Sequence, residues 1–159
     1  MNDDSAQAYF RLILLTVAGQ AFGAAGYRLE EDPLQQAGGL FRFRADLANE
    51  LTGFIEFQLL AYAQTEFASP QPSRFRVTLT RTDQPLPVVL SAHSRFARRD
   101  LAALVVEDFG VAVLPSAGYW WTYKDVAELG RALAEAGHLT VGFGIPWLAG
   151  DLTPPQHDA

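Results

Sequence analysis

Three stretches decide the fold: LFRFR at residues 40–44, GFIEFQLLAYA at 53–63 and SRFRVTLTRT at 73–82. In the first, Phe41 and Phe43 alternate with Arg42 and Arg44. The second puts Ile55, Phe57 and Leu59 on one side and Glu56 and Gln58 on the other. The third sends Phe75, Val77 and Leu79 one way and Arg74, Arg76, Thr78 and Thr80 the other. A period of two over successive runs predicts strands with one buried and one solvated face. Antiparallel meanders tolerate that asymmetry, whereas parallel sheets are covered on both sides.

Outward from this meander, residues 5–25 predict a helix. Asp3, Asp4 and Ser5 offer an N-cap and negative charge where a helix N-terminus favours both. Phe10, Ile13, Leu14, Val17 and Ala21 follow at helical spacing, Leu12 and Leu15 widen the apolar face, and Gly23 or Gly26 can end it. The apolar run at 12–18 is far shorter than the roughly 20 residues a bilayer needs. The acidic start also disfavours a secretory signal. A cytoplasmic protein without membrane contact is the expectation.

Residues 30–39 read as a linker, marked by Pro33 and the Gly38 and Gly39 pair. Residues 48–52 and 64–72 read as strand connections, and 88–92, flanked by Pro85 and Pro87, as a short edge strand. A helix is expected over 96–108 with Leu101, Leu104 and Val105 inward. Short strands are expected at GVAVL (110–114) and from GYWW (118–121). In the last helix Thr122 and Asp125 fit a capping box, and Val126, Leu129 and Leu133 make the buried stripe. Arg131 is spaced to pair with Glu128 and Glu135, and Gly137 ends the helix. Residues 139–148 add a helical turn, and 153–159 are expected to be a disordered tail. The whole reads as one α+β domain over 1–152. Its mostly antiparallel sheet has four to six strands, with the N- and C-terminal helices packed on one face.

Composition fits this. The 159 residues are 49% hydrophobic and 19% charged, the profile of an ordinary globular chain. A net charge of −6 argues against broad nucleic-acid binding. Cysteine is absent, which excludes disulfides, thiol nucleophiles and cysteine-based metal sites. Eleven of the 12 basic residues are arginine, which we ascribe to coding bias.

The order of motifs resembles an uncharacterised family of small bacterial domains of unknown function. In that family a helix leads into an F-x-R strand, an I-E-x-Q strand, an F-x-V-x-L strand, a Trp-Trp strand, a helix and a terminal Pro-Trp. The matching positions are Phe41 and Arg42 or Phe43 and Arg44, then Ile55, Glu56 and Gln58. Phe75, Val77 and Leu79, then Trp120 and Trp121, and finally Pro146 and Trp147 complete the match. Residues 102–114 and GHLTVGFG (137–144) depart from the pattern. The family has no settled activity, so the resemblance implies no mechanism.

Catalytic and metal motifs are missing: His93, His138 and His157 stand at no metal spacing, and no Walker loop, G-x-S-x-G or G-x-G-x-x-G occurs. No cofactor is expected. The acidic clusters at 30–32 and 107–108 read as solvated surface. Two groups remain. Alternation places Trp120 and Trp121 on opposite faces, one in the core and the other either under Trp147 or exposed as a contact anchor. The polar sheet face collects Arg42, Arg44, Glu56, Gln58, Arg74 and Arg76. Four guanidinium groups against one carboxylate suit either a solvated face with cross-strand pairs or recognition of an anion. The expected function is a non-catalytic binding or interaction module, an accessory or neutralising partner of another bacterial protein. The alternative is a small-ligand protein or enzyme that holds an anionic substrate on the sheet-face arginines.

Overall fold

The computed structural model describes residues 3–61 and 71–155. Its sheet runs β1 (Arg28–Leu29), β2 (Leu40–Asp46), β3 (Thr52–Leu60), β4 (Ser73–Thr82) and β5 (Ala97–Asp100) in spatial order, all antiparallel. A sixth strand, β6 (Trp121–Tyr123), also pairs with β4. The register is the one alternation demands: Phe41 opposite Phe57 opposite Val77, and Phe43 opposite Ile55 opposite Leu79. β5 and β6 share one edge of β4. β5 pairs from Thr78 to Arg81 and β6 from Ser73 to Phe75, so no strand among the described residues covers that edge at Arg76 and Val77.

Two long helices close the apolar face. Helix α1 fills residues 3–24: α-helical at Asp3–Leu14, a π turn at Leu15–Gly19, and α-helical again at Gln20–Ala24. Its buried positions are Phe10, Leu14, Ala18 and Phe22. A spacing of four drifts by about 40° per step on an α-helix. The extra residue of the π turn takes the drift back. Val17 and Ala21, which a pure 3.6-residue period points inward, therefore face outward, and Leu12 is exposed as well.

After α2 (Pro33–Ala37), which Asp32 caps, and α3 (residues 101–108), the chain ends in α4 over residues 126–149. The cap of α4 is Asp125, whose carboxylate accepts from Glu128 N, while Glu128 accepts from Lys124 N. That box lies one turn later than Thr122 and Asp125 suggest. Val126 is exposed, and Glu128 and Arg131 form no ion pair among the described residues. Gly137 does not end the helix. It faces α1, where a Cβ would meet Ala18 Cβ at 3.4 Å, a van der Waals contact. The helix passes through a π turn at Thr140–Gly144 and stops at Gly150, whose φ of 82° needs the left-handed region.

The core is aromatic. Phe10 meets the Phe41 and Phe75 rings at 5.1 and 5.3 Å, and Phe22 meets Phe43 edge-on at 5.0 Å. Each such ring contributes about 1.5–3 kcal/mol by burial. Leu101, Leu104 and Val105 join it as expected, but the helix that carries them begins at Leu101. Residues 97–100 form β5 instead, because β4 offers them an open edge. Neither 88–92 nor 110–114 is a strand. The second connection, 64–72, and the last residues of the tail lie largely outside the described residues. No helix among the described residues is long and apolar enough to cross a membrane.

Candidate functional site

The polar side of the sheet is solvated only in part: Arg44 and Arg76 are exposed, and Gln58, Arg74 and Thr78 are half-buried. Phe54, Thr80 and Thr82 are fully buried there, and Arg42 and Glu56 are each 6% exposed. Registers set its rows. One runs Arg42, Glu56, Thr78, Asp100 across β2 to β5, extended by Glu30, whose N donates to Arg42 O at 2.8 Å. Arg42 Nε donates to Glu56 Oε2 at 3.2 Å, and Nη1 to Glu30 Oε2 at 3.3 Å. Its guanidinium also lies 5.8 Å from the Phe54 ring centre. With two carboxylates on one buried cation, Arg42 is a structural tie whose charge is already neutralised.

The other expected site residues separate. Arg44 is about half-exposed and, among the described residues, pairs only with Asp46, at 4.0 Å. The Gln58 amide donates to Gly38 O at 3.3 Å and Leu59 O at 3.2 Å. Trp121 is the core tryptophan: it stacks on Phe75 at 5.6 Å and donates Nε1 to Glu135 Oε1 at 2.9 Å. Trp147 does not meet Trp120. It sits 5.7 Å from Arg81, whose guanidinium donates to Arg95 O, Trp147 O and Leu148 O. Those last two carbonyls belong to the C-terminal turn of α4, where a cation is favourable. Burial, and then the charge of Arg95, pull Arg81 below its ordinary pKa.

The acidic clusters lie at the surface, with Glu31, Asp32 and Glu107 exposed, and they make local contacts there. Glu31 pairs with Arg11 and Asp32 caps α2, while Glu107 and Asp108 hold Arg99 at 3.1 and 2.9 Å. No group of three potential ligands among the described residues is placed to hold a metal ion.

What the fold does bring together is Arg74, Arg76 and Trp120. The chain leading into β6 carries Trp120 onto the polar face, beside Arg76 and diagonal to Arg74. The two guanidinium carbons lie 4.6 and 5.0 Å from the Trp120 ring centre. Neither arginine has a carboxylate within 4.0 Å among the described residues, and Arg74 Nε is buried with no hydrogen-bond partner. Beside this corner, where β4 is unpaired, lies a pit of about 110 Å³. Arg76, Asp100, Tyr119 and Trp120 are on its walls. The Tyr119 phenol is pushed up in pKa by burial and by the Glu135 carboxylate. Sequence reasoning missed Asp100, because ARRD at 97–100 precedes an apolar helical run and reads as part of it. Alternation of Arg98 and Asp100 with Ala97 and Arg99 carries no apolar signal that would have marked a strand. Comparison of the chain with family models, with curated proteins and with solved structures finds no match.

Proposed function

We propose that this domain is a non-catalytic binding module of the bacterial cytoplasm. In this reading it recognises an anionic group on Arg74 and Arg76, with Trp120 as the platform, and serves as accessory or neutralising partner to another protein. One observation carries the reading: two guanidinium groups share one indole with no carboxylate in reach among the described residues, and one has a buried N–H without an acceptor. A buried donor of a charged group left unpaired costs upward of about 1–3 kcal/mol. An oxyanion at the accessible N–H groups of Arg74 and Arg76 would be held by charge-assisted hydrogen bonds. Stacking on Trp120 holds the forks in place beforehand, which lowers the ordering cost of binding. No described histidine lies at this corner: His93 Nδ1 accepts from Arg95 N, and His138 is exposed on α4.

The test is a nuclear magnetic resonance titration of the Trp120 indole N–H and the arginine Nε–H signals. The probes are a short polyglutamate peptide and inorganic phosphate at constant ionic strength. Saturable shifts at Trp120, Arg74 and Arg76 are expected, with Trp121 silent because its N–H is held by Glu135. Arg74→Gln with Arg76→Gln should remove them and leave the amide spectrum folded. Shifts that survive in the double variant, or no saturable shift with either probe, would overturn the reading. Arg42 is unsuited to such a test, since Arg42→Glu would bury a third carboxylate beside Glu30 and Glu56.

A further inference from the structure

The pit beside the arginine corner has two signs of charge on its walls, and they do not neutralise each other. Arg76 and Asp100 both line it, yet no ion pair joins them within 4.0 Å. The register explains the separation. Asp100 is opposite Thr78, two residues beyond Arg76 on β4, so the two stand on a diagonal of roughly 7–8 Å. Asp100 Oδ1 accepts from Thr78 Oγ1 at 3.1 Å, and no cation reaches the carboxylate among the described residues. The pit's remaining lining includes Val77, Ala102 and Trp121, all buried and apolar. Charges above such a lining interact more strongly than they would in bulk water.

We infer that this pit binds a small zwitterion of the α-amino acid class, its carboxylate on Arg76 and its ammonium on Asp100, against the Trp120 ring. The inference rests on the proposed reading of Arg76 as an anion contact. Charge decides the class. A monoanion on Arg76 faces the Asp100 carboxylate, and a monocation on Asp100 faces Arg76 with Arg74 behind it. A molecule with both charges a short distance apart satisfies both walls and fills the diagonal that keeps them from pairing. Size limits it further. A pit of about 110 Å³ suits a molecule on the scale of glycine or alanine, far below a nucleotide.

The experiment follows the Trp120 indole N–H during titration with glycine, alanine, acetate, methylammonium and acetamide at fixed ionic strength. Wild type, Asp100→Asn and Arg76→Gln are compared. The amide introduced by Asp100→Asn keeps an oxygen to accept from Thr78, so the fold at β5 is retained, and the amide spectrum checks this. Glycine or alanine is expected to bind about tenfold or more tightly than acetate, the worth of one added charge-assisted contact. Asp100→Asn should bring the amino acids down to the affinity of acetate without weakening acetate. Arg76→Gln should abolish both. Equal affinity for acetate and glycine in wild type, binding of acetamide as tight as glycine, or an Asp100→Asn variant that still prefers glycine would each overturn the inference while leaving the anion corner intact. Absence of a response to every one of these probes, with polyglutamate and phosphate silent as well, would remove both.

Discussion

Gly53→Ala should destabilise the domain, through one identifiable contact. Gly53 stands on β3 between Ala45 of β2 and Arg81 of β4, against the ring of Tyr27. A Cβ there would overlap Tyr27 Oη and lie 3.1 Å from its Cζ and 3.2 Å from Leu47 Cδ1. Tyr27 is 2% exposed, so its ring has little room to retreat. Overpacking of this kind costs about 1–3 kcal/mol. The hydroxyl that would be struck has no hydrogen-bond partner. Tyr27→Phe deletes a buried donor that gains nothing in the folded state, so its own effect should be near zero or stabilising by about 1 kcal/mol. With the hydroxyl removed, Gly53→Ala still crowds the ring carbon and Leu47 but loses its worst overlap. The double variant should therefore be more stable than the sum of the single changes by about 1 kcal/mol, beyond the ~0.3–0.5 kcal/mol scatter of independent sites. Urea unfolding of the four proteins, followed by tryptophan fluorescence and fitted with a common slope, measures this. An additive cycle, or a Tyr27→Phe variant destabilised by more than about 1.5 kcal/mol, would refute the account of this contact.

Two further outcomes are expected. Phe57, fully buried with ring contacts to Phe22, Phe43 and Phe75 at about 6 Å, should cost about 3–5 kcal/mol as Phe57→Ala in the same assay, and a loss under 1 kcal/mol would remove it from the core. Stability should also fall under alkaline conditions. Burial pushes the Tyr123 phenol up to about 12, against an opposing hydrogen bond with Ser73, and raises Tyr27 further still. Unfolded tyrosines release their protons near pH 10, so above that pH the folded state binds more protons and stability declines as pH rises. The loss belongs between about pH 10 and 12 and should be smaller in Tyr27→Phe; an unfolding midpoint unchanged across that window would contradict it.

The meander and its register were legible because alternation is a local signal and each strand carried it without interruption. Helix phase was not. Val17, Ala21 and Val126 satisfy a 3.6-residue period and still face outward. In α1 a π turn inserts one residue, and nothing in LTVAG announces it. In α4 Val126 is the first helical residue and stands exposed. Gly137 reads as a stop by composition, yet the helix runs on through it. β5 illustrates the remaining kind of miss, in which an open edge on β4 draws ARRD into a strand against its local preference. The partial burial of the polar face did have a signal. Phe54, and the threonines at 52, 80 and 82, stand among the charged positions and are the residues a covered surface would carry.

Why the four sheet-face arginines part company is a matter of their neighbours rather than of their own strands. Arg42 and Arg76 look alike in LFRFR and SRFRV: each is flanked by apolar residues and each faces the polar side. The three central strands offer them Glu56, and Asp46 at the end of β2 beside Arg44. The structure adds two residues from outside those strands. Glu30 comes in beside β2 and completes the neutralisation of Arg42. Trp120, arriving just ahead of β6, gives Arg74 and Arg76 an aromatic surface and no negative charge. A cation placed on an indole keeps its charge unneutralised, whereas a cation between two carboxylates does not. The capacity to bind an anion thus lies at the end of the sheet where the neighbouring strand brought a ring. The unpaired edge between β5 and β6 is what leaves that ring, and Asp100 across the pit from it, within reach of something other than the protein itself.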